Sequence, residues 1–201
     1  MWSNAATVEN VATLRARGYS VLDPEIGALT SGDIGQGRFP STSNIISAFK
    51  AVIGEPEDFK GRKILVTAGG TREPIDPVRF IGNRSSGKQG YAVARAAMLR
   101  GADVTLISAN VQIPDIPGVR IIKVETAAQM YQALNENFLN TNLLVMSAAV
   151  ADARPLHNSD GKIKKKDFTS IELIENPDLL ASIAAQKQNQ VIIAFAAETT
   201  L

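Results

Sequence analysis

The 201-residue sequence contains no cysteine, and this one absence removes disulfides, thiolate metal sites and a cysteine nucleophile together. Histidine occurs once, at His157, within the polar stretch 156–161, which reads as surface loop. No Ser-His-Asp set or metal-ligand cluster can be assembled around it. Neither sign of charge predominates: 21 Lys and Arg stand against 20 Asp and Glu, so there is no overall field for nucleic acid or an anionic membrane. Signal-like and membrane-length apolar runs are also missing, and the expectation is a soluble, cytoplasmic protein. Any anion must be bound locally.

At 45% hydrophobic residues, the chain can build one sizeable core with a smaller appendage. From Lys63 onward, β-branched runs alternate with helical patterns. Residues 64–68, 104–108, 119–124, 143–148 and 191–195 read as strands, several apolar throughout, as strands covered on both faces are. Helices are expected over 86–100, from the capping box of Thr126 and Gln129, and over 177–187, where Asn176 would cap and Pro177 open the helix. Strand and helix in alternation predict an α/β fold: a doubly wound, mostly parallel Rossmann-like sheet with helices on both faces. Residues 1–60 break that rhythm, with helix-like pieces at 6–17 and 42–53 around a glycine-rich stretch at 27–37. Residues 54–61 then read as a linker.

Open α/β sheets bind ligands beyond the carboxyl ends of the strands where the winding reverses, here after Ala68 and Ala148. Gly69 and Gly70 follow the first strand, and Ser85, Ser86 and Gly87 lead into a helix. Glycines admit backbone N–H groups to an anion, hydroxyls add donors and the helix start adds partial positive charge. Each feature alone is also an ordinary turn or cap; their conjunction points to a nucleotide phosphate. The segment 82–88 fits G-x-x-x-x-G-K, but Gln89 replaces the magnesium-binding Ser or Thr of a P-loop. A G-x-G-x-x-G fingerprint is missing, which disfavours a nicotinamide oxidoreductase without removing it. Asp152 lies beyond the fourth strand, as a turn cap or a ribose contact. The lysines of 162–166 are a solvated face or an anion clamp.

Read as one run, residues 64–90 (ILVTAGGTREPIDPVRFIGNRSSGKQG) resemble the signature of bacterial phosphopantothenate-cysteine ligases. The resemblance continues through 148–152, 162–165, 176–178 and 195–199, and so covers 62–201. It implies a CTP- and magnesium-dependent carbon-nitrogen ligase of coenzyme A biosynthesis, joining 4'-phosphopantothenate to L-cysteine through an acyl-cytidylate. It also implies a homodimer with the lysine segment near the shared site. Asn83 would act during cysteine attack and Lys162 in the first step. Gly69, Gly70, Ser85, Ser86 and Gly87 would lie at the phosphates, with Ala148, Asp152, Asn176, Pro177, Asp178 and Phe195 around the nucleotide; the metal ligands are not implied.

The first sixty residues, with Met1-Trp2, Asn4, Ala6-Thr7, Asn10, Arg17-Gly18, Pro24, Gly27 and Gly32 to Arg38, resemble the end of phosphopantothenoylcysteine decarboxylase, a flavoprotein fused ahead of the ligase. On this reading, 1–53 are a remnant of an FMN-dependent domain, 54–61 a linker and 62–201 a ligase domain lacking its C-terminal lysines. Ser31 stands where that family has a reactive cysteine. A serine cannot provide a low-pKa thiol, so decarboxylation is not expected of this chain. The alternative expectation is a fragment that binds nucleotide or dimerises without turnover.

Overall fold

The computed structural model describes residues 2–30, 32–54 and 57–197; Met1, Ser31, Glu198 and Thr199 of the motifs above lie outside them. The chain divides after residue 56 into two units, each with its own architecture.

The first unit holds helix α1 (Ala5–Ala16), strands β1 (Glu25–Ala28) and β2 (Ile34–Arg38), and helix α2 (Thr42–Ile53). The stretch expected as glycine-rich loop is an antiparallel hairpin with an irregularity between Glu25 and Ile26. Gly32 turns the chain at φ +88°, whereas the strand glycines make room: a Cβ at Gly37 would come within 3.1 Å of the Leu29 side chain. Neither helix buries a residue, and Ile26, Ile34 and Phe39 are all more than three-quarters exposed at 76%, 83% and 80%.

The second unit continues with β3 (Lys63–Gly69), a short hairpin of β4 (Arg72–Pro74) and β5 (Phe80–Gly82), helix α3 (Lys88–Leu99) and strands β6 (Asp103–Ala109) and β7 (Arg120–Val124). Helix α4 (Ala127–Phe138), β8 (Leu143–Met146), β9 (Ala153–Pro155), β10 (Leu173–Glu175), α5 (Leu179–Ala184) and β11 (Val191–Ala194) complete it. Five strands form one sheet in the order β11-β8-β3-β6-β7, every neighbouring pair parallel. Winding starts at β3, runs outward through β6 and β7, then returns to the other side of β3 with β8 and β11. The expected doubly wound sheet is present, and its switch point lies between β3 and β8.

Alternation along β3 assigns the two faces. Leu65 packs with α4 and α5 through Met130, Leu134, Phe138, Leu179 and Ile183, whereas Ile64, Val66 and Ala68 pack with Tyr91, Ala94 and Ala97 of α3. Each fully buried Leu, Ile or Phe contributes about 1.5–3 kcal/mol, so these two clusters hold the sheet. An exposed pair such as Lys123–Asp115 adds at most about 1 kcal/mol. Within the stretch 54–61 expected as linker, Phe59 packs on the α3 side and Asp58 pairs with Arg100 beyond α3.

Helix boundaries differ from expectation at two N-termini. Helix α3 begins at Lys88 rather than Ser86, because Gly87 caps it in the left-handed conformation at φ +72°. Helix α5 begins at Leu179 and its cap is Asp178, whose Oδ1 accepts the Ala181 N–H at 2.9 Å. Asn176 is unavailable for capping: its Nδ2 donates to the Ala151 carbonyl at 2.8 Å and its Oδ1 accepts from Arg154 at 2.9 Å. Strand β8 ends at Met146 instead of Ala148, since beyond it the chain is held by side-chain bonds from β3.

Candidate functional site

Two threonines at the end of β3 fix the backbone that leaves β8. Thr67 Oγ1 accepts from the Ser147 and Ala148 N–H groups at 3.2 Å each, while Ser147 Oγ donates back to the Thr67 carbonyl at 2.6 Å. Thr71 Oγ1 accepts the Ala151 N–H at 2.8 Å. Between them, Gly70 and Ala149 form a parallel bridge that carries the β3–β8 register three residues beyond its last pair, Thr67 with Met146, into the loops. The switch point is therefore a fixed floor rather than two loose loop ends.

Small residues bring that floor close to its surroundings. Gly69 turns the chain at φ +87°, and a Cβ there would lie 1.9 Å from the Ala109 carbonyl oxygen. A Cβ at Gly70 would stand 2.7 Å from the Asn83 carbonyl oxygen. The loop 83–87 thus lies directly on Gly70, and Asn83 Nδ2 reaches across it to donate to the Val150 carbonyl at 2.9 Å. The P-loop pattern dissolves here, since Gly82 belongs to the β4–β5 hairpin and a Cβ on it would meet the Thr71 carbonyl at 2.4 Å.

Beyond the floor opens a cavity of about 600 Å³. Its wall contains all six residues expected around a nucleotide, Ala148, Asp152, Asn176, Pro177, Asp178 and Phe195, together with Val150 and Glu175. Asn176 anchors it through the bonds above and through its own N–H, which donates to the Asp152 carbonyl at 2.8 Å. Arg154 Nη1 closes the same cluster on the Glu175 carbonyl at 2.9 Å. Phe195, half exposed at 53%, leaves a ring face for a planar group. Asn83, Gly69, Gly70, Ser85, Ser86 and Gly87 form the neighbouring ledge, joined to the cavity through Val150. Ser85 and Ser86 spend their hydroxyls on long 3.4 Å contacts to the Gly87 and Lys88 N–H groups, weak enough to yield to an anion.

Lys162 is exposed and is not part of the cavity wall. Its segment is fixed elsewhere, on residues whose role was not read from the sequence. Asp76 is a carboxylate with no exposed side-chain surface; it accepts from the Val78 and Arg79 N–H groups at 2.9 and 2.8 Å, from Arg79 Nε at 2.9 Å and from the Ile163 N–H at 3.2 Å. The Arg79 guanidinium and these N–H donors hold its carboxyl far below the usual carboxylate range. Two further unread residues are Asn110, at φ +53°, which donates to the Gly70 and Glu125 carbonyls, and buried Glu73, which accepts the Ala127 N–H at the start of α4. The D-P-x-R spacing of 76–79 is the local signal for the first, since an aspartate caps its own turn two and three residues on.

Asp76 makes a pH prediction. Its folded value lies below the unfolded 3.8, so the unfolded chain binds the proton more readily, and the stabilisation is full above that value and lost as pH falls through the folded one. Thermal midpoints measured from about pH 6 down to about pH 2 should fall more steeply for the native chain than for Asp76→Asn. Parallel curves would show that Asp76 does not stabilise the fold.

A doubly wound parallel sheet with a walled cleft and a glycine-serine ledge at its switch point places the second unit among Rossmann-like ligand-binding α/β proteins. The chain belongs to the family described as DNA/pantothenate metabolism flavoprotein C-terminal domain, whose model matches residues 59–201. It is 49% identical over 212 residues to the coenzyme A biosynthesis bifunctional protein CoaBC of Mycobacterium tuberculosis (strain ATCC 25618 / H37Rv), covering 99% of this chain and 51% of that protein. It is 42% identical over 204 residues to CoaBC of Escherichia coli (strain K12), covering 99% and 50%. Among solved structures, the C-terminal domain of CoaBC superposes with a TM-score of 0.63 at 41% identity, over 71% of this chain and 67% of that one. The chain spans about half the length of the curated relatives it matches. No helix among the described residues is long and apolar enough to cross a membrane.

Proposed function

We propose that the second unit is a CTP-dependent phosphopantothenate-cysteine ligase acting in coenzyme A biosynthesis. The observation that carries this reading is the cleft itself: six residues from three separate segments, singled out by one family resemblance, line one cavity of about 600 Å³ beside the Gly69–Gly87 ledge. That size accommodates a nucleoside with part of a second substrate. The relatives' membership in coenzyme A biosynthesis supports the pathway.

An unactivated carboxylate resists attack by an amine, so the reaction is divided. In the first step a carboxylate oxygen of 4'-phosphopantothenate attacks the α-phosphorus of CTP, forming the acyl-cytidylate and releasing pyrophosphate. Backbone N–H groups of the ledge, the Ser85 and Ser86 hydroxyls and the start of α3 receive the phosphates, and Lys162 neutralises charge as two anions meet. In the second step the cysteine amine attacks the acyl carbon, loses a proton and expels CMP. Asn83 Nδ2 carries two hydrogens, one given to the Val150 carbonyl and the other free for the developing oxyanion.

Magnesium would be carried in on the triphosphate, where it neutralises phosphate charge. The described residues hold no group of three or more potential ligands, and two carboxylates in the wall, Asp152 and Glu175, match the one or two that such an ion takes from protein. The reading also takes residues 1–53 as the end of a flavin-dependent decarboxylase domain, with FMN belonging to the complete bifunctional protein, 54–61 as linker and 62–201 as ligase domain. It further takes the ligase as a cytoplasmic homodimer.

The test is a thermal shift followed by turnover. Magnesium-CTP should raise the midpoint and NADPH should not. With 4'-phosphopantothenate added, pyrophosphate should appear, and CMP should follow only after L-cysteine. Protection by NADPH alone would overturn the reading in favour of an oxidoreductase, and CTP binding without pyrophosphate release would reduce it to a nucleotide-binding module.

A further inference from the structure

A run of lysines at 162 and 164–166 does not order itself. The four ammonium groups repel one another, and all four residues are exposed. Yet both main-chain groups of Ile163, the residue between Lys162 and the other three, are taken by a single ion pair from a loop 84 to 87 residues earlier. Its N–H donates to Asp76 Oδ2 at 3.2 Å and its carbonyl accepts from Arg79 Nη2 at 2.8 Å. The segment is pinned on both sides of that point. The Ser159 N–H donates to the Ile75 carbonyl at 3.0 Å, and the Phe168 ring lies under the Arg79 guanidinium with its centroid 3.9 Å away.

The carboxylate is fully committed to this arrangement. Oδ1 serves the turn of its own loop, Oδ2 serves Arg79 and Ile163, and no part of the side chain faces water. Burying an aspartate to make a tight turn alone is unnecessary, since an exposed one caps as well. What the burial adds is a planar fork in which one charged pair grips one peptide unit from both ends. Asp76 Oδ2 accepts from Arg79 Nε at 2.9 Å while Arg79 Nη2 reaches the Ile163 carbonyl, and Lys162 is covalently next to the gripped residue.

We propose that Asp76 is a positioning residue for Lys162: through its own carboxylate and through Arg79 it clamps the backbone of Ile163 and so presents the adjacent lysine at a fixed place for the acyl-activation step. This rests on the role given to Lys162 above. Asp76 touches no substrate and acts only by holding the segment. Displacing a charge by about 1 Å costs on the order of 100-fold in rate, so freeing the segment should cost about as much as removing the lysine.

A double-mutant cycle on this chain tests the proposal. Pyrophosphate release from magnesium-CTP and 4'-phosphopantothenate is followed in the native chain, Asp76→Asn, Lys162→Ala and the double variant. Asp76→Asn should lose about 100-fold, and in the Lys162→Ala background it should cost less than about twofold more. Equal losses in both backgrounds would overturn the proposal, because Asp76 would then act independently of the lysine. Limited trypsin digestion runs in parallel: cleavage after Lys162 and Lys164–Lys166 should be at least about tenfold faster in Asp76→Asn, and equal rates would overturn the clamp. Phe168→Ala, which removes the ring stacked on Arg79 but keeps Asp76 and its turn, should also speed cleavage, and supplies that readout if Asp76→Asn does not fold; unchanged cleavage there would overturn the clamp. A native chain that releases no pyrophosphate overturns the ligase reading instead, and the digestion still decides the clamp.

Discussion

Replacing Gly69 by alanine is expected to destabilise the second unit by about 2–5 kcal/mol, adding a left-handed backbone cost of about 1–2 kcal/mol to an overpacking cost of about 1–3 kcal/mol. The backbone there sits at φ +87°, and the new methyl would fall 1.9 Å from the Ala109 carbonyl and 2.6 Å from Val111 Cγ2. Neither neighbour can withdraw cheaply. Ala109 is paired to Gly69 at the end of the β3–β6 ladder, and Val111 packs on the α3-side core. The thermal midpoint should fall by roughly 10 °C, at about 2–4 °C per kcal/mol for a chain of this size. A fall of less than about 2 °C would mean that the turn relaxes without disturbing the sheet. CTP should no longer protect even where the variant folds, because Val111, which the new methyl would displace, also stands against Gly87 of the ledge.

Asn83→Ala is expected to separate the two chemical steps. Its side chain is exposed, so the fold should hold to within about 1 kcal/mol, the worth of one bond to the Val150 carbonyl. Pyrophosphate release should persist, while CMP release after addition of L-cysteine should drop by about 100- to 1,000-fold, the usual cost of one oxyanion donor. The acyl-cytidylate would then accumulate and be visible by mass spectrometry. Asn83→Asp keeps the shape but replaces the donor by a negative charge and should be at least as slow. Equal loss of pyrophosphate and CMP would move Asn83 to the first step.

The five-strand sheet was legible because its central strands β3, β6 and β8 are buried on both faces. Runs such as 64–68 and 104–108 are apolar apart from Thr67, Thr105 and Ser108, and it is this near-continuous apolar and β-branched character, bounded by helical patterns, that marks them. Pairings across long gaps left no such mark. Strands β9 and β10 meet through Ala153 with Glu175 and Pro155 with Leu173, and neither three-residue strand has a pattern of its own. The β1–β2 hairpin was masked by its own glycines, of which Gly27, Gly35 and Gly37 admit Arg38 and Leu29 and Gly32 makes the turn. The residues expected around a nucleotide were found because one family resemblance marks them, and their convergence on a single cavity is a fact of the fold that composition does not contain. Asp76 and Arg79 stood in plain view inside the quoted run. Their partner, Ile163, carries no chemical signature, and a bond to a peptide group cannot be seen from residue types.

The strand order has a consequence for how this site comes into being. Strands β3, β6 and β7 are neighbours in the sheet and follow one another in the chain apart from the intervening β4–β5 hairpin, joined by α3 and a short connection, so that half can close early over modest loops. The β3–β8 junction closes over a longer loop: the bond from the Lys63 N–H to Asn142 Oδ1 spans 79 residues, and pairing at longer separation forms more slowly even though doubling a loop adds only about 0.6 kcal/mol to its closure cost. The ledge of glycines and serines is thus expected to take shape with the early half of the sheet, and the cavity wall from Ala148 to Phe195 with the late half. The cleft opens on the seam where they join, so a nucleotide bound there, as proposed, would bridge the two halves of the sheet.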